Sequence, residues 1–173
     1  MAGIQDVREL DSDIQGSWIW EVEIEGIAGA TDVPEQHTFQ AQSVTIPEMS
    51  LGVVEIPFKS NRTYFRGRDD TDQSLTINFF DTEDHTVYEF LWNWMNNINA
   101  FGEDTGGGEN KDDYKATIKV RTQGKDEETD TGEWVFKGCW LNSIGSIELD
   151  YESDEAMTVE ATLQFDFHEY ESQ

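Results

Sequence analysis

The stretch MTVEATLQFDFH, residues 157–168, decides the fold. Met157, Val159, Ala161, Leu163, Phe165 and Phe167 alternate with Thr158, Glu160, Thr162, Gln164, Asp166 and His168. A period of two sends successive side chains to opposite faces, so this is a strand with one face on a core and one in water. The same period recurs at Trp18, Trp20, Val22 and Ile24 against Ile19, Glu21, Glu23 and Glu25. It returns at Tyr114, Ala116, Ile118 and Val120 against Lys115, Thr117, Lys119 and Arg121. Residues 134–141 are apolar on both faces, which predicts a strand covered on both sides. Shorter runs at His37–Ile46, ending at Pro47, at Leu51–Phe58 and at Ser74–Phe80 complete the set.

One segment has a different period. Val87, Phe90, Leu91, Trp94, Met95 and Ile98 form a single helical stripe. Asp81, Glu83 and Asp84 crowd its start, where acidic groups and N-caps belong. Tyr88 and Trp92 lie four apart on a flank beside the stripe, a surface suited to a partner. One helix, about 84–98, among seven to eight strands predicts a mainly β fold, a sandwich or barrel with a flanking helix. Residues 1–16 are expected as a flexible N-terminal arm, and 17–173 as a single domain.

Composition narrows the function. The 173 residues carry 37 Asp and Glu against 11 Lys and Arg, a net charge of −26 at pH 7. That balance leaves no general basic footprint for nucleic acid or an anionic membrane. No apolar run approaches the ~20 residues of a membrane span, and the acidic N-terminus lacks a signal-peptide pattern. A lone cysteine, Cys139, excludes an intrachain disulfide. Set mid-strand among apolar neighbours, it is expected as a buried small hydrophobe.

Catalytic signatures are missing. His37, His85 and His168 form no ligand pair, and neither GxSxG nor Walker A occurs. Asp126, Glu128 and Asp130 copy the first positions of a calcium loop. Thr131 stands where its Gly belongs, however, and Lys137 where its bidentate Glu belongs. No cofactor, metal or catalytic residue is predicted, and the expected role is not enzymatic.

Two charge patterns remain. Glu21, Glu23 and Glu25 stand about 6.7 Å apart along one strand face, where each adjacent pair repels by roughly 0.6 kcal/mol in water. Such a row faces either cations, with Lys115, Lys119 and Arg121 the complementary row, or a functional acidic surface. Conversely, Lys59, Arg62, Arg66 and Arg68 put four of the eleven cations into ten residues.

The runs SVTIPEMSLGVVEIPFKSNRTYFRGR (43–68), SLTINFFDTEDHTVYEFLWNWMNNI (74–98) and GCWLNSIGSIELDYESDEAMTVEATLQFDF (138–167) resemble the tail tube proteins of contractile-tailed phages. The resemblance extends over residues 17–168 and rests on the order of elements. It implies homohexameric rings that join their sheets into an inner barrel and stack into a hollow tube within a contractile sheath. It further implies a virion tail component assembled in the host cytoplasm, with sheath, baseplate and tail terminator proteins as partners. The tape measure protein and genomic DNA would occupy the lumen without sequence-specific binding, and no membrane anchor is implied.

Within that resemblance, Pro47, Lys59, Arg62, Arg66 and Arg68 are candidates for contacts between rings or subunits. Tyr88 and Trp92 are candidates for the outer surface toward sheath or neighbour. Glu21, Glu23, Glu25, Glu160 and Asp166 are candidates for an acidic lumen that repels DNA. A hexamer carries 6 × −26 = −156 formal charges, a repulsion that local pairing and screening must overcome. Adaptation to a high-salt host is the competing account of the acidity. The alternatives are a tube or tube-initiator protein of a type VI secretion or phage-like contractile injection system and, from another class, a calcium-dependent carbohydrate-binding β-sandwich.

Overall fold

The computed structural model describes residues 20–26, 41–99, 110–124, 130–147 and 156–172. The expected N-terminal arm, His37, and Asp126 and Glu128 of the calcium-like loop lie outside the described residues. Among the described residues nine strands and one α-helix follow in the order β1 (Trp20–Glu25), β2 (Ala41–Thr45), β3 (Leu51–Phe58), β4 (Asn61–Asp69), β5 (Ser74–Phe80), α1 (Thr86–Ile98), β6 (Ala116–Gln123), β7 (Asp130–Ile144), β8 (Thr158–Gln164) and β9 (Phe167–Ser172), with a short 3-10 turn at Lys111–Asp113 before β6. The expectation of a mainly β sandwich with one helix is met; no closed barrel forms.

All pairings are antiparallel, and the strand path runs β1-β6-β7-β8-β5-β2, with β9 on β7 and β3 paired only with β4. The long β7 serves two layers. Its first half pairs with β6 and β9, its second half with β8. One layer is therefore β1-β6-β7-β9, the other β2-β5-β8-β7.

Alternation places Val22, Ile118, Val120 and Phe136 from the first layer against Leu75, Ile77, Phe79, Val159, Ala161 and Leu163 from the second, each at most 2% exposed. Helix α1 adds Val87, Leu91 and Trp94 to this core. The Trp94 indole N–H donates to the Tyr114 carbonyl at 2.8 Å, so its polar atom is satisfied.

Two expectations change at one place. Residues 157–168 are not one straight strand, and Phe167 is not inside: it is 51% exposed, while His168 stacks on Phe136 at 5.6 Å between centroids. The cause lies opposite, at Gly138, whose φ of +70° marks a bulge in β7. A β-bulge adds one residue to one strand and flips the alternation beyond it. Phe136 before the bulge and Cys139 after it therefore both face the core. This is why residues 134–141 looked apolar on two faces, and it leaves only Val135 and Trp140 on outer faces. A side chain at Gly138 would also run into the Asp166 carboxylate, which lies over it.

The helix starts at Thr86, two residues later than expected. His85 precedes it in left-handed conformation, φ 52°. Capping falls to Asp81, whose Oδ1 accepts from the N–H groups of Thr82 (3.1 Å) and Val87 (3.3 Å), while its Oδ2 meets His85 Nδ1 at 3.0 Å.

Candidate assembly surfaces

Residues 59–68 are not part of a loop. They complete a β-hairpin in which Val53 faces Arg66, Val54 Phe65, Glu55 Tyr64, Ile56 Thr63, Pro57 Arg62 and Phe58 Asn61. Lys59 and Ser60 make the turn, with Lys59 at φ 54° and its ammonium 5.5 Å from the Phe58 ring centroid. The pairing sorts the side chains. Val54, Ile56, Phe58 and Phe65 share one face; Val53, Glu55, Tyr64, Arg62 and Arg66 share the other.

At its base the hairpin is clasped. Asp70 N–H donates to the Ser50 carbonyl at 2.9 Å, and Ser50 N–H to the Thr71 hydroxyl at 3.3 Å. The Thr71 hydroxyl and its backbone N–H both bond the Asp69 carboxylate, at 2.6 and 3.0 Å, and hold that carboxyl below its usual range. Gly52 and Gly67 cross so closely that a Cβ on Gly67 would stand 2.6 Å from the Gly52 carbonyl.

Beyond the clasp none of the described residues covers it. Every hairpin residue except Gly52 and Gly67 is exposed. Of the eleven exposed large hydrophobics among the described residues, eight lie at 49–65, including Val53 at 69% and Phe58 at 67%. An isolated two-stranded hairpin is marginal in water, and an apolar patch of this kind marks an interaction site. The cations are equally under-used. Arg62 meets Glu55 at 3.3 Å, but Arg66 and Arg68 have no carboxylate partner among the described residues. Pro47, expected in the same contact set, precedes the hairpin and is half-buried.

The acidic stripe of β1 behaves oppositely. Glu23 bonds Arg121 at 2.6 Å and Glu25 bonds Lys119 at 2.7 Å across the β1–β6 pair. Arg121 also reaches Glu133 at 2.7 Å, and that bond chiefly, then Glu23, pushes its pKa up. Glu21 lies 3.4 Å from the Gln123 side-chain amide. Asp166 pairs with Lys115 at 2.6 Å, and Lys137 with Glu169 at 2.6 Å.

The premise that these carboxylates stand without partners thus fails for Glu23, Glu25 and Asp166; cross-strand cations satisfy them. Nor do the five share one face. Glu21, Glu23, Glu25 and Asp166 lie on the outer face of β1-β6-β7-β9, whereas Glu160 lies on the outer face of the other layer.

Tyr88 and Trp92 stack on the outer flank of α1, centroids 6.2 Å apart at 24°, with Trp92 45% exposed. His85 and His168 do not converge: the first bonds Asp81, the second packs between Phe136 and Phe165. Among the described residues no group of three His, Cys, Asp or Glu side chains is arranged to hold a metal ion. Burial pushes the Cys139 thiol up to about 12, so it is no nucleophile.

The described residues form a two-layer β-sandwich with a helix and a long exposed hairpin, and the chain's relatives show which family it belongs to. The sequence profile of the phage tail tube protein family matches residues 19–171, and this chain belongs to that family. It is 27% identical to tail tube protein gp19 of Enterobacteria phage T4 over 136 residues, 78% of this chain and 82% of the T4 protein. To the tail tube protein of Serratia phage KSP90 it is 22% identical over 144 residues, covering 83% and 80% of the two chains. Among solved structures, it shares its fold with the sheath-tube complex of the extracellular contractile injection system PVC in its extended state (TM-score 0.64, 15% identity, all of both chains). It shares it also with the tube-terminating cap of the anti-feeding prophage (TM-score 0.67, 14% identity, 94% of this chain and 93% of that one).

Proposed function

We propose that this protein is the repeating subunit of a phage tail tube whose homohexameric rings stack into a hollow conduit for DNA. The observation that carries the reading is the hairpin β3–β4. It presents an apolar face and under-used cations that the described residues of its own chain leave uncovered. A subunit that leaves such a surface open stays soluble only until another copy covers it.

Charge supports a second copy as the cover. Residues 51–69 hold Lys59, Arg62, Arg66 and Arg68 against Glu55 and Asp69, a net +2, so the remainder of the chain carries −26 − 2 = −28. The hairpin is a cationic projection on an anionic body, and every other copy offers it a complementary surface. Ring-to-ring contact through Lys59, Arg62, Arg66 and Arg68, with Pro47 at the approach to the hairpin, follows from that asymmetry.

The stacked Tyr88–Trp92 pair would face outward to a sheath subunit, and the tube ends would meet baseplate and terminator proteins. In the bore, carboxylates would repel DNA, which carries about one negative charge per 1.7 Å. Because the five candidates occupy two opposed faces, one bore takes one set only.

Electron microscopy of purified protein at low and high salt tests the reading. Hollow tubes or sixfold rings that increase with salt, as repulsion between −26 subunits is screened, are expected. Monomers at every salt, even after addition of preformed tube ends, would sink it.

A further inference from the structure

Among the described residues the two layers part between β2 and the strands β1, β6 and β7. The opening is a groove of about 260 Å³, lined by Val44 and Ile46 on one side and by Trp20, Val120 and Trp134 on the other. Its remaining lining, Gln42, Ser43 and Thr122, is uncharged. Tyr170, 56% exposed, packs on Trp134 at 4.9 Å between centroids and continues the aromatic wall. A Cβ at Gly132 would stand 2.8 Å from the Tyr170 hydroxyl, so glycine leaves that ring its place. Where α1 packs, Val87, Leu91 and Trp94 seal the core. Here none of the described residues does, and Trp20, Val44, Ile46 and Trp134 stay half-buried.

The described residues thus leave two apolar surfaces unsatisfied: this groove, and the hairpin face of Val54, Ile56, Phe58 and Phe65. The two do not meet within one copy. Bonds from Asp70 to Ser50 and from Ser50 to Thr71 fix the root of the hairpin. Its strands rise about 3.3 Å per residue, so Phe58 stands about 26 Å beyond that root. Ile46, on the groove wall, precedes Ser50 by only four residues. To bring Phe58 back to Ile46 the ribbon would have to break its own ladder of hydrogen bonds. A second copy faces no such constraint.

Resting on the tube reading above, we propose that the apolar face of the hairpin seats in the groove between Trp20, Val44, Ile46 and Trp134 of a second copy. Ile56 and Phe58 are its anchors, since aromatic and aliphatic side chains that fill a pocket carry most of an interface's energy. Arg62 and Arg66, on the opposite face of the same ribbon, are thereby turned toward a third copy.

The strand period makes this division of labour. Side chains alternate between faces, so the groove with no charge in its lining receives the face with no charge, and the cations stay outside it. One hairpin then ties three copies together by two different forces. Burial of apolar surface holds the first contact at any salt, whereas the charged contact weakens as salt screens it.

Cross-linking in mixed assemblies tests the seat. A chain with Phe58→Cys and a differently tagged chain with Ile46→Cys are assembled together and treated with a short bismaleimide. Cys139 is buried and its thiol un-ionised, so it stays silent. The expected product is a dimer carrying both tags, several-fold above the yield when Asn93→Cys, at an exposed helix position, replaces Ile46→Cys. Equal yields, or no mixed dimer in intact tubes, overturn the proposal and leave the tube reading standing. Absence of rings and tubes in the wild-type chain overturns both. Salt gives a second readout. Ile56→Ser with Phe58→Ser should abolish tubes at every salt, while the loss from Arg62→Gln with Arg66→Gln should be largest at low salt. Wild-type yields of tubes from the serine variant refute the seat; identical salt profiles for the two variants refute the division of faces.

Discussion

Lysine and arginine do opposite work in two regions of this protein. On the face built by β1, β6, β7 and β9, Lys115, Lys119, Arg121 and Lys137 each hold a carboxylate of the same chain at 2.6–2.7 Å. On the hairpin, only Arg62 reaches a carboxylate among the described residues, Glu55 at 3.3 Å. The same residue type is consumed by the fold in one place and left largely without carboxylate partners among the described residues in the other. The difference teaches that in a strongly acidic chain, the informative cations are those the fold does not use.

Charge reversal on the hairpin should break the comparison most completely. Arg66→Glu with Arg68→Glu takes residues 51–69 from a net +2 to −2, on a projection proposed to meet an anionic neighbour. Tubes should vanish under the microscope while the melting temperature of the monomer barely moves. A large fall in melting temperature would mean that these arginines serve the fold after all.

The closed region should instead respond to pH as one core. The Cys139 thiol is raised by desolvation to about 12. A group whose folded pKa is raised contributes stability that is whole below its unfolded value and is lost as pH climbs through the window toward the folded value. Stability should therefore decline above pH ~9, by up to about 1.4 kcal/mol per pH unit from this group. In Cys139→Ala, chemical denaturation should show that part of the slope removed.

Arg121→Met leaves Glu23 and Glu133 without their shared guanidinium in a half-buried site. It should cost about 1–3 kcal/mol by denaturation, the range for hydrogen bonds to charged groups. Assembly should survive at temperatures below the new melting point. The smallest effect belongs to the hairpin turn. Lys59→Gly relieves a left-handed φ of 54° and should stabilise the hairpin by about 1 kcal/mol, visible as slower amide exchange at 54–65.

Much of this was legible in the sequence. Strict alternation named the core residues of β1, β6 and β8, and the helical stripe named Val87, Leu91 and Trp94. What escaped depended on contacts between distant residues. Gly138 carries no mark of a bulge until Asp166 lies over it. The partners of Glu23 and Glu25 stand 98 and 94 residues away, so cross-strand pairing and a free acidic surface look alike in one dimension.

Strand β4 escaped for another reason. Its alternation of Arg62, Tyr64 and Arg66 with Asn61, Thr63 and Phe65 sets no apolar face against polar, because neither face meets this chain's core. The cluster of cations in residues 59–68 was legible all the same, and the proposed role of the hairpin rests partly on it.

The hairpin follows β2 and leads into β5, and among the described residues it has no counterpart elsewhere on the sandwich. A contact made by such a projection joins unlike surfaces, and repeated joining of unlike surfaces gives a filament with direction. In the proposed tube, one terminus of the stack would present uncovered hairpins, and the opposite terminus the vacant receiving sites. Growth can be started at one and stopped at the other by two different proteins, each needing to recognise only a single kind of surface.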